Sequence, residues 1–310
     1  MRFSFTVLAL LFFFSGYSQY TEVINSNRPG ESQGAFSVGA NVLQVEGFAH
    51  YGEENHNLTD VEARVMGLGY EVRYGVWQER LELNLRGDFI DARMTYPVGG
   101  TRNSMTFRNF RSNALGAKYL LYDPYKKRTE RGPNLYSWRK NNRFQLEDLI
   151  PAVSIYAGAN LLFGDRPSVY PFYGDEQANF SPKVALITQH NWGHTVFTMN
   201  FEFDYLTDAH KRFSGIFSLT QYIGEDFSVL GEFQLINNHF YSDELVRLGM
   251  AYLLSRDLQL NLSGLTNFKN TPDRWSIGLG ASYRWDWHKD REQKEEVEGL
   301  PTKSDALWRE

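Results

Sequence analysis

Cysteine is missing from all 310 residues of the sequence. Its absence excludes disulfide bonds, thiolate nucleophiles, cysteine metal clusters and a lipid anchor attached to a cysteine. Long apolar stretches are also missing beyond the first eighteen residues. No later run approaches the ~18 consecutive apolar residues of a transmembrane helix. The sequence therefore predicts no transmembrane helix.

An excess of positive charge is missing as well. Lysine and arginine number 32 against 37 acidic residues, and the formal net charge is -5 at pH 7. No strongly basic domain is present to neutralise phosphates, so we do not expect nucleic acid as a partner.

Patterns typical of an active site are scarce. There is no Gly-x-Ser-x-Gly elbow, His-Glu-x-x-His pair or phosphate loop. The seven histidines are scattered, and His190 and His194 flank a turn without an obvious carboxylate pair nearby. An enzyme would have to place a histidine beside an inward serine such as Ser214 or Ser218. We therefore expect no catalytic residues, no metal and no cofactor, and an outer-membrane enzyme is the least favoured function.

Aromatic residues, in contrast, are abundant. They make up 15% of the chain, although its mean hydropathy is negative. A barrel in a membrane has an apolar outside and a wet inside, which explains this combination. A soluble β-sandwich with a large core is the alternative that composition leaves open.

The first eighteen residues have the pattern of a signal peptide. Arg2 supplies a positive charge, residues 3–14 are almost all apolar, and Gly16 and Ser18 are small residues where a signal peptidase cuts. We expect cleavage before Gln19 and export of the protein.

Beyond residue 40 the side chains alternate with a period of two. Within residues 197–205, aromatic residues and Met199 occupy the odd positions, and Thr198, Asn200, Glu202 and Asp204 the even ones. Successive side chains of a strand face opposite sides, so the pattern indicates one apolar and one polar face. Several such stretches are about 10 residues long, which a tilted strand needs to cross the hydrocarbon.

These stretches predict an all-β fold, a transmembrane antiparallel up-and-down β-barrel of about twelve strands. We place the strands near residues 41–51, 62–74, 80–93, 110–121, 150–163, 181–190, 195–206, 212–222, 227–237, 244–254, 258–266 and 275–287. Tight turns at residues 75–79, 191–194, 224–226 and 255–257 alternate with longer links such as 94–109 and 164–180. An even strand count and short periplasmic turns predict that both termini are periplasmic, in the outer membrane of a Gram-negative cell.

The polar faces predict a lumen lined by charges of both signs, because each cation on the lipid face would cost ~2–4 kcal/mol. A barrel of this size is compatible with a plugged or a conducting lumen, and we favour a narrow or occluded one. The lumen-lining candidates are Glu46, Glu71, Arg73, Glu82, Arg86, Asp88, Glu202, Asp204, Glu232, Arg247 and Arg284.

Three segments lie outside the predicted barrel of residues 41–287. Residues 19–40 are either a plug, with Arg28 paired to a lumen carboxylate, or an ordinary periplasmic leader. The polar connection 122–149 and the charged tail 288–310 are predicted to be periplasmic and are candidates for docking other proteins. The docking candidates are Lys126, Lys127, Arg128, Arg131, Arg139, Lys140 and Arg143.

Four short stretches resemble a family of bacterial outer-membrane proteins named after the meta-pathway of phenol degradation and often labelled transporters. They are residues 27–39 with Arg28-Pro29, residues 42–48, the hairpin around Arg73-Tyr74-Gly75 and residues 279–285. The resemblance implies a barrel that passes small hydrophobic molecules. The Ser18-Gln19 end of the leader is similar to secreted proteins of Bacteroidota. The basic connection and the tail depart from the family's pattern.

Two functions follow as expectations. The first is an outer-membrane transporter or channel-like protein for a small solute, hydrophobic solutes included. The alternative is a non-transporting accessory subunit of an outer-membrane assembly, docking through residues 122–149 and 288–310. Both have the membrane lipid as a partner, and the second adds outer-membrane or periplasmic proteins.

Overall fold

Twelve antiparallel strands form one closed barrel in the computed structural model, which describes residues 23–126, 149–163, 179–207, 211–239 and 241–287. The strands are β1 (Val42–His56), β2 (Val61–Gly75), β3 (Leu81–Val98), β4 (Thr101–Tyr122), β5 (Ala152–Leu161), β6 (Phe180–Trp192), β7 (Thr195–Asp204), β8 (Arg212–Ile223), β9 (Phe227–Asn238), β10 (Ser242–Ser255), β11 (Leu258–Asn267) and β12 (Asp273–Asp286). Each strand pairs with its neighbours in the chain. Among the described residues, no helix is long and apolar enough to cross a membrane.

The barrel is closed by the pairing of its first and last strands. β1 and β12 run antiparallel from Val42 opposite Asp286 to Asn55 opposite Asp273. Because the strand number is even, the first strand begins and the last strand ends at the same end of the barrel. We call this the turn end, since the turns around Trp77, Gly193 and Gly224 lie there, and the opposite end the loop end.

The period-two pattern sorts side chains between the outside and the lumen. In β7, Thr198, Asn200 and Glu202 are buried inside, whereas Phe203 on the other face is 45% exposed. Phe201 lies outside, where it contacts Phe217 of β8 edge to face at 5.8 Å. The sequence-based prediction of a twelve-stranded antiparallel barrel is confirmed, and the soluble sandwich is wrong.

Aromatic residues form a band around the outside of the turn end. Trp77, Trp192, Tyr222 and Trp285 are all more than a third exposed and lie where strands meet the turn end. Indole and phenol rings favour the headgroup level of a membrane because each is apolar with one polar group. The band marks where the turn end meets the lipid–water interface.

The predicted link 94–109 is wrong, because this segment is a continuation of β3 and β4. The two strands run on to a two-residue turn at Gly99 and Gly100, which have φ of +59° and +82°. Two positive φ values suit a tight hairpin turn whose twist matches the strands. Inside the barrel, Ile90 and Met94 of β3 pack with Met105 and Phe107 of β4.

The remaining predictions concern the ends of the chain and its long connections. The predicted signal peptide, residues 127–148 of the basic connection, residues 164–178 of the long link and the tail 288–310 lie outside the described residues. They stay predictions.

Leu279→Arg is expected to destabilise the barrel, because Leu279 is 65% exposed on the outer face in the middle of β12. A cation there costs about 2–4 kcal/mol of free energy of unfolding in lipid vesicles, measured by urea titration. The matched control is Val98→Arg, at the hairpin tip beyond the hydrocarbon, which should leave stability nearly unchanged. Equal effects of both substitutions would contradict the assignment of the lipid face.

Candidate functional site: a segment inside the lumen

Residues 23–41, which we call the inner segment, lie inside the barrel. The segment starts at the turn end, where the Ile24 N–H donates to the Arg256 carbonyl at 2.9 Å, and returns there, where the Asn41 N–H donates to the Gly75 carbonyl at 3.0 Å. Between these points the chain folds back on itself, and the Gly34 N–H donates to the side-chain oxygen of Asn27 at 3.1 Å. The inner segment is therefore a re-entrant loop whose tip is formed by residues 28–33.

The inner segment makes a hydrogen bond or an ion pair with every strand of the barrel. A segment without sheet pairing has backbone N–H and carbonyl groups that need other partners, and inward side chains of the wall supply many of them. The wall residues are, from β1 to β12, Glu46, Glu71, Glu82, Lys118, Ser154, Gln189, Asn200, Ser218, Glu232, Arg247, Gln259 and Ser282.

Two wall residues form hydrogen bonds with the backbone of the tip. The Glu232 carboxylate accepts from the N–H groups of Glu31 and Ser32, each at a closest distance of 3.0 Å. The Asn200 side chain accepts from the Gln33 N–H at 2.5 Å and donates to the Gln33 carbonyl at 2.9 Å. Bonds to backbone groups define the position of the tip whatever its side chains are.

The returning arm of the inner segment has an apolar anchor. Ala35 and Phe36 pack against the inward face of β4–β6, in a buried cluster with Leu120, Tyr156 and Ile187. Lys118 donates to the carbonyls of Gly34 and Phe36, both at 2.9 Å. The tip is thus held by polar contacts, while the arm behind it is also held by packing.

Below the tip, towards the turn end, a fully buried ion network spans β1–β4. The Arg73 guanidinium lies 3.0 Å from Glu82, to which it donates twice, and 3.4 Å from Glu46. Lys118 lies 3.2 Å from the same Glu82 carboxylate. Two cations and two carboxylates compensate one another, which burial requires because an unpaired buried charge is very costly.

A second cluster forms at the tip around Glu31. Its carboxylate accepts from Arg28 at 3.1 Å and from Arg86, and it lies 3.6 Å from Arg247. Arg247 also donates to Glu232. Three guanidinium groups are therefore in contact with two carboxylates, that of Glu31 in the inner segment and that of Glu232 in the wall.

Further ion pairs line the lumen towards both ends. In β6 and β7, Lys183 lies 3.0 Å from Glu202 and 3.3 Å from Asp204. At the turn end, Arg284 lies 3.1 Å from Asp257. Towards the loop end, the Asp88 carboxylate accepts a hydrogen bond from the His50 ring at 3.0 Å.

The inner segment has a cavity on each side of it. The cavity towards the loop end is about 240 Å³ and is lined by Arg28 and Glu31 together with wall residues such as Phe48 and Arg274. The cavity towards the turn end is about 410 Å³ and is lined by residues 23–29 and by wall residues such as Ser218 and Gln259. Arg28 borders both cavities, so the tip is the partition between them.

Beyond the strands at the loop end, Tyr241 forms a small polar cluster. Its hydroxyl donates to Asp243, and the Lys269 ammonium lies 4.3 Å from the centre of its ring. Burial raises the pKa of the Tyr241 hydroxyl above its ordinary value and lowers the pKa of Lys269. The cluster ties the β9–β10 and β11–β12 connections together.

All eleven lumen-lining candidates from the sequence have their side chains on the inward face. They are Glu46, Glu71, Arg73, Glu82, Arg86, Asp88, Glu202, Asp204, Glu232, Arg247 and Arg284. Arg28, the plug candidate, lies in the lumen, but its ion pair is with Glu31 of the inner segment and not with a wall carboxylate. Its guanidinium also lies 5.0 Å from the centre of the Phe48 ring.

Sequence reasoning missed Glu31, Lys118, Lys183 and Asn200 as site residues. A signal existed for Lys183, because it has the opposite parity to the exposed Val184 and Leu186. No periodicity covers Glu31, which lies outside any strand. Among the docking candidates, the structure describes Lys126, whose N–H donates to Asp123 at 3.3 Å, and the other six lie outside the described residues.

The residues considered for catalysis have structural partners. Ser218 is 2.6 Å from Ser32, Ser214 accepts from Gln234 at 3.2 Å, and the His190 ring is 3.1 Å from the Leu149 carbonyl. Within the described ranges, no group of three or more histidine or carboxylate side chains is arranged to hold a metal ion.

Comparison with known protein families gives a match over residues 26–285, to the family described as "Putative MetA-pathway of phenol degradation". The match covers the barrel and most of the inner segment. The chain belongs to this family. A search of curated protein sequences gives no match.

Comparison with solved structures finds several outer-membrane channels that are similar to this chain. An outer-membrane channel from Pseudomonas putida F1 is 7% identical, with a TM-score of 0.51, and the match covers 84% of this chain and 100% of that one. The NanC porin is 10% identical, with a TM-score of 0.45, and the match covers 77% of this chain and 98% of that one. The CymD monoaromatic hydrocarbon channel is 10% identical, with a TM-score of 0.39, covering 80% and 89%.

A closed barrel with an apolar exterior, an aromatic band and a charged interior is built for lipid outside and water inside. Together with the family, this architecture identifies the protein as an outer-membrane β-barrel.

Arg73→Met is expected to destabilise the barrel by about 3–5 kcal/mol, because it leaves the buried Glu46 and Glu82 short of one cation. The free energy of unfolding in lipid vesicles measures the loss. The matched control is Arg102→Met, which removes an exposed arginine paired with Glu62 at the hairpin tip and should cause no measurable change. A stable Arg73→Met barrel would show that the buried network is dispensable.

Proposed function

We propose that this protein is a channel for a small solute across the outer membrane and that the inner segment is its gate. The observation that carries the proposal is the pair of cavities on either side of the tip, about 240 and 410 Å³ in size. The family and the fold of outer-membrane channels support a role in permeation.

The composition of the contacts supports a tip that can leave the lumen. Residues 28–33 contact the wall mainly through hydrogen bonds and ion pairs, which water can replace at a modest net cost of about 0.5–1.5 kcal/mol per hydrogen bond. The wall exposed by such a movement is polar, so it tolerates water. The apolar anchor at Ala35 and Phe36 keeps the arm attached to β4–β6 while the tip moves.

The size of the barrel supports a narrow pore. Twelve strands lie between the small barrels that side chains fill and the 16-stranded porins with open channels. The loop-end cavity exceeds the ~150 Å³ that holds one benzene molecule in an engineered protein cavity, so it suits solutes of about that size.

The proposal includes the orientation of the barrel in the membrane and the kind of activity. We place the turn end in the periplasm, because short turns and chain termini are periplasmic in barrels of this class. Transport rather than catalysis is proposed, since the inward hydroxyls of Ser214 and Ser218 serve in structural hydrogen bonds.

Asn200→Ala is expected to raise the open probability of the channel in planar lipid bilayers. The substitution removes both hydrogen bonds to Gln33, which should increase the population of the undocked tip roughly ten-fold or more. The readout is the open probability of single channels in potassium chloride.

The matched control is Asn160→Ala, another inward asparagine, which donates to Asp204 of the wall at 3.1 Å. This variant should retain the open probability of the unmodified protein. Equal open probabilities for Asn200→Ala and the unmodified protein would contradict a gating role of the inner segment.

A further inference from the structure

Glu31 occupies the place that a bound carboxylate would occupy in an arginine site. Its two carboxylate oxygens meet Arg28 of the inner segment, and Arg86 and Arg247 of the wall, which come from β3 and β10. Guanidinium groups are the preferred partners of carboxylates because their planar forks match the carboxylate geometry. The wall thus presents two arginines to an anion that the protein itself supplies.

The site is open to the loop-end cavity. The Glu31 side chain is 30% exposed, and Arg28, Arg86 and Arg247 all line that cavity. Five arginines line it in all, against three carboxylates, Glu31, Glu54 and Asp88. Arg111 and Arg274 are both 3.3 Å from Glu54, and Arg111 is 3.8 Å from Asp88, so these charges balance. The positive excess lies around the tip, where Arg28, Arg86 and Arg247 contact Glu31 and Glu232.

The same cavity has an apolar part. Phe48, Val65, Leu245, Leu265 and Trp275 contribute to its lining. A ligand with one carboxylate and a ring or short alkyl body matches this combination of arginines and apolar side chains. Its volume of about 240 Å³ is enough for a single ring with one substituent, because ~150 Å³ holds benzene.

We propose that the loop-end cavity binds a small organic carboxylate at Arg86 and Arg247, in the position that Glu31 holds when the tip is docked. The inference rests on the proposed channel function, for which it names the class of solute. Glu31 is then a tethered competitor of the solute. Solute and docked tip exclude each other, so the solute favours the undocked, open state by its affinity for the vacated arginines.

The test is equilibrium dialysis of radiolabelled benzoate against the full-length barrel in detergent, corrected with empty micelles. Glu31→Gln keeps the shape of the side chain but removes its charge, and Glu31→Ala vacates the site. Both variants should bind benzoate at least roughly ten-fold more tightly than the unmodified protein, since a competing charged hydrogen-bond acceptor is gone. Adding Arg86→Gln to Glu31→Ala should cancel the gain.

Two controls separate this site from general charge effects. Benzamide, the neutral counterpart of benzoate, should show no gain with either variant. Glu54→Gln makes the same charge change in the same cavity, next to Arg111 and Arg274 and away from Arg86 and Arg247, and should raise benzoate affinity less than either Glu31 variant does. A difference in gel migration between the unheated and the heated sample shows that each variant is folded.

Unchanged benzoate binding in both Glu31 variants, or an equal gain in Glu54→Gln, would overturn the proposal. Binding is measured without a membrane, so this result is independent of conductance. A barrel that conducts but does not bind benzoate refutes the solute class alone. A barrel that binds benzoate but never conducts refutes the channel function.

Discussion

The strands of this barrel place most of their charged side chains on one face, and closure of the sheet turns that face towards the lumen. Lipid outside cannot solvate a carboxylate or a guanidinium, so the charges of twelve strands meet in a narrow lumen. There they must neutralise one another or face water. The buried network of Arg73, Lys118, Glu46 and Glu82 shows the first solution, and the cavity at Arg28 and Glu31 shows the second.

The inner segment follows from the same constraint. Its backbone supplies N–H groups to wall carboxylates and carbonyls to wall amides and ammonium groups. In this way the segment provides hydrogen-bond partners for wall side chains that would otherwise need water molecules as partners. A segment held by polar groups alone is released more easily than one held by a hydrophobic core, since each hydrogen bond has a counterpart in water. The apolar anchor at Phe36 limits that release to the tip.

Sequence analysis predicted the strands well where lipid contacts one face and the polar lumen the other, and less well elsewhere. β7 was recognisable because Phe201 and Phe203 alternate with Asn200 and Glu202 across the hydrocarbon. The hairpin at Gly99-Gly100 was missed because its alternation is inverted, with Met94, Met105 and Phe107 inside the barrel and polar residues such as Arg108 exposed outside. The choice between a plug and a leader for residues 19–40 stayed open for a different reason, since a segment that is not part of a sheet has no periodic pattern. Glu31 was missed as a site residue because its role depends on β3 and β10, which lie far away in the sequence.

The central claim is that the inner segment closes the lumen, and a reversible covalent lock tests it most directly. The Oγ atoms of Ser32 and Ser218 are 2.6 Å apart, and the chain has no cysteine, so Ser32→Cys with Ser218→Cys provides the sole disulfide. Single-channel currents should vanish when this variant is oxidised and return when it is reduced, with Ser218→Cys alone insensitive to both treatments. Identical currents through the oxidised and the reduced barrel would contradict the account.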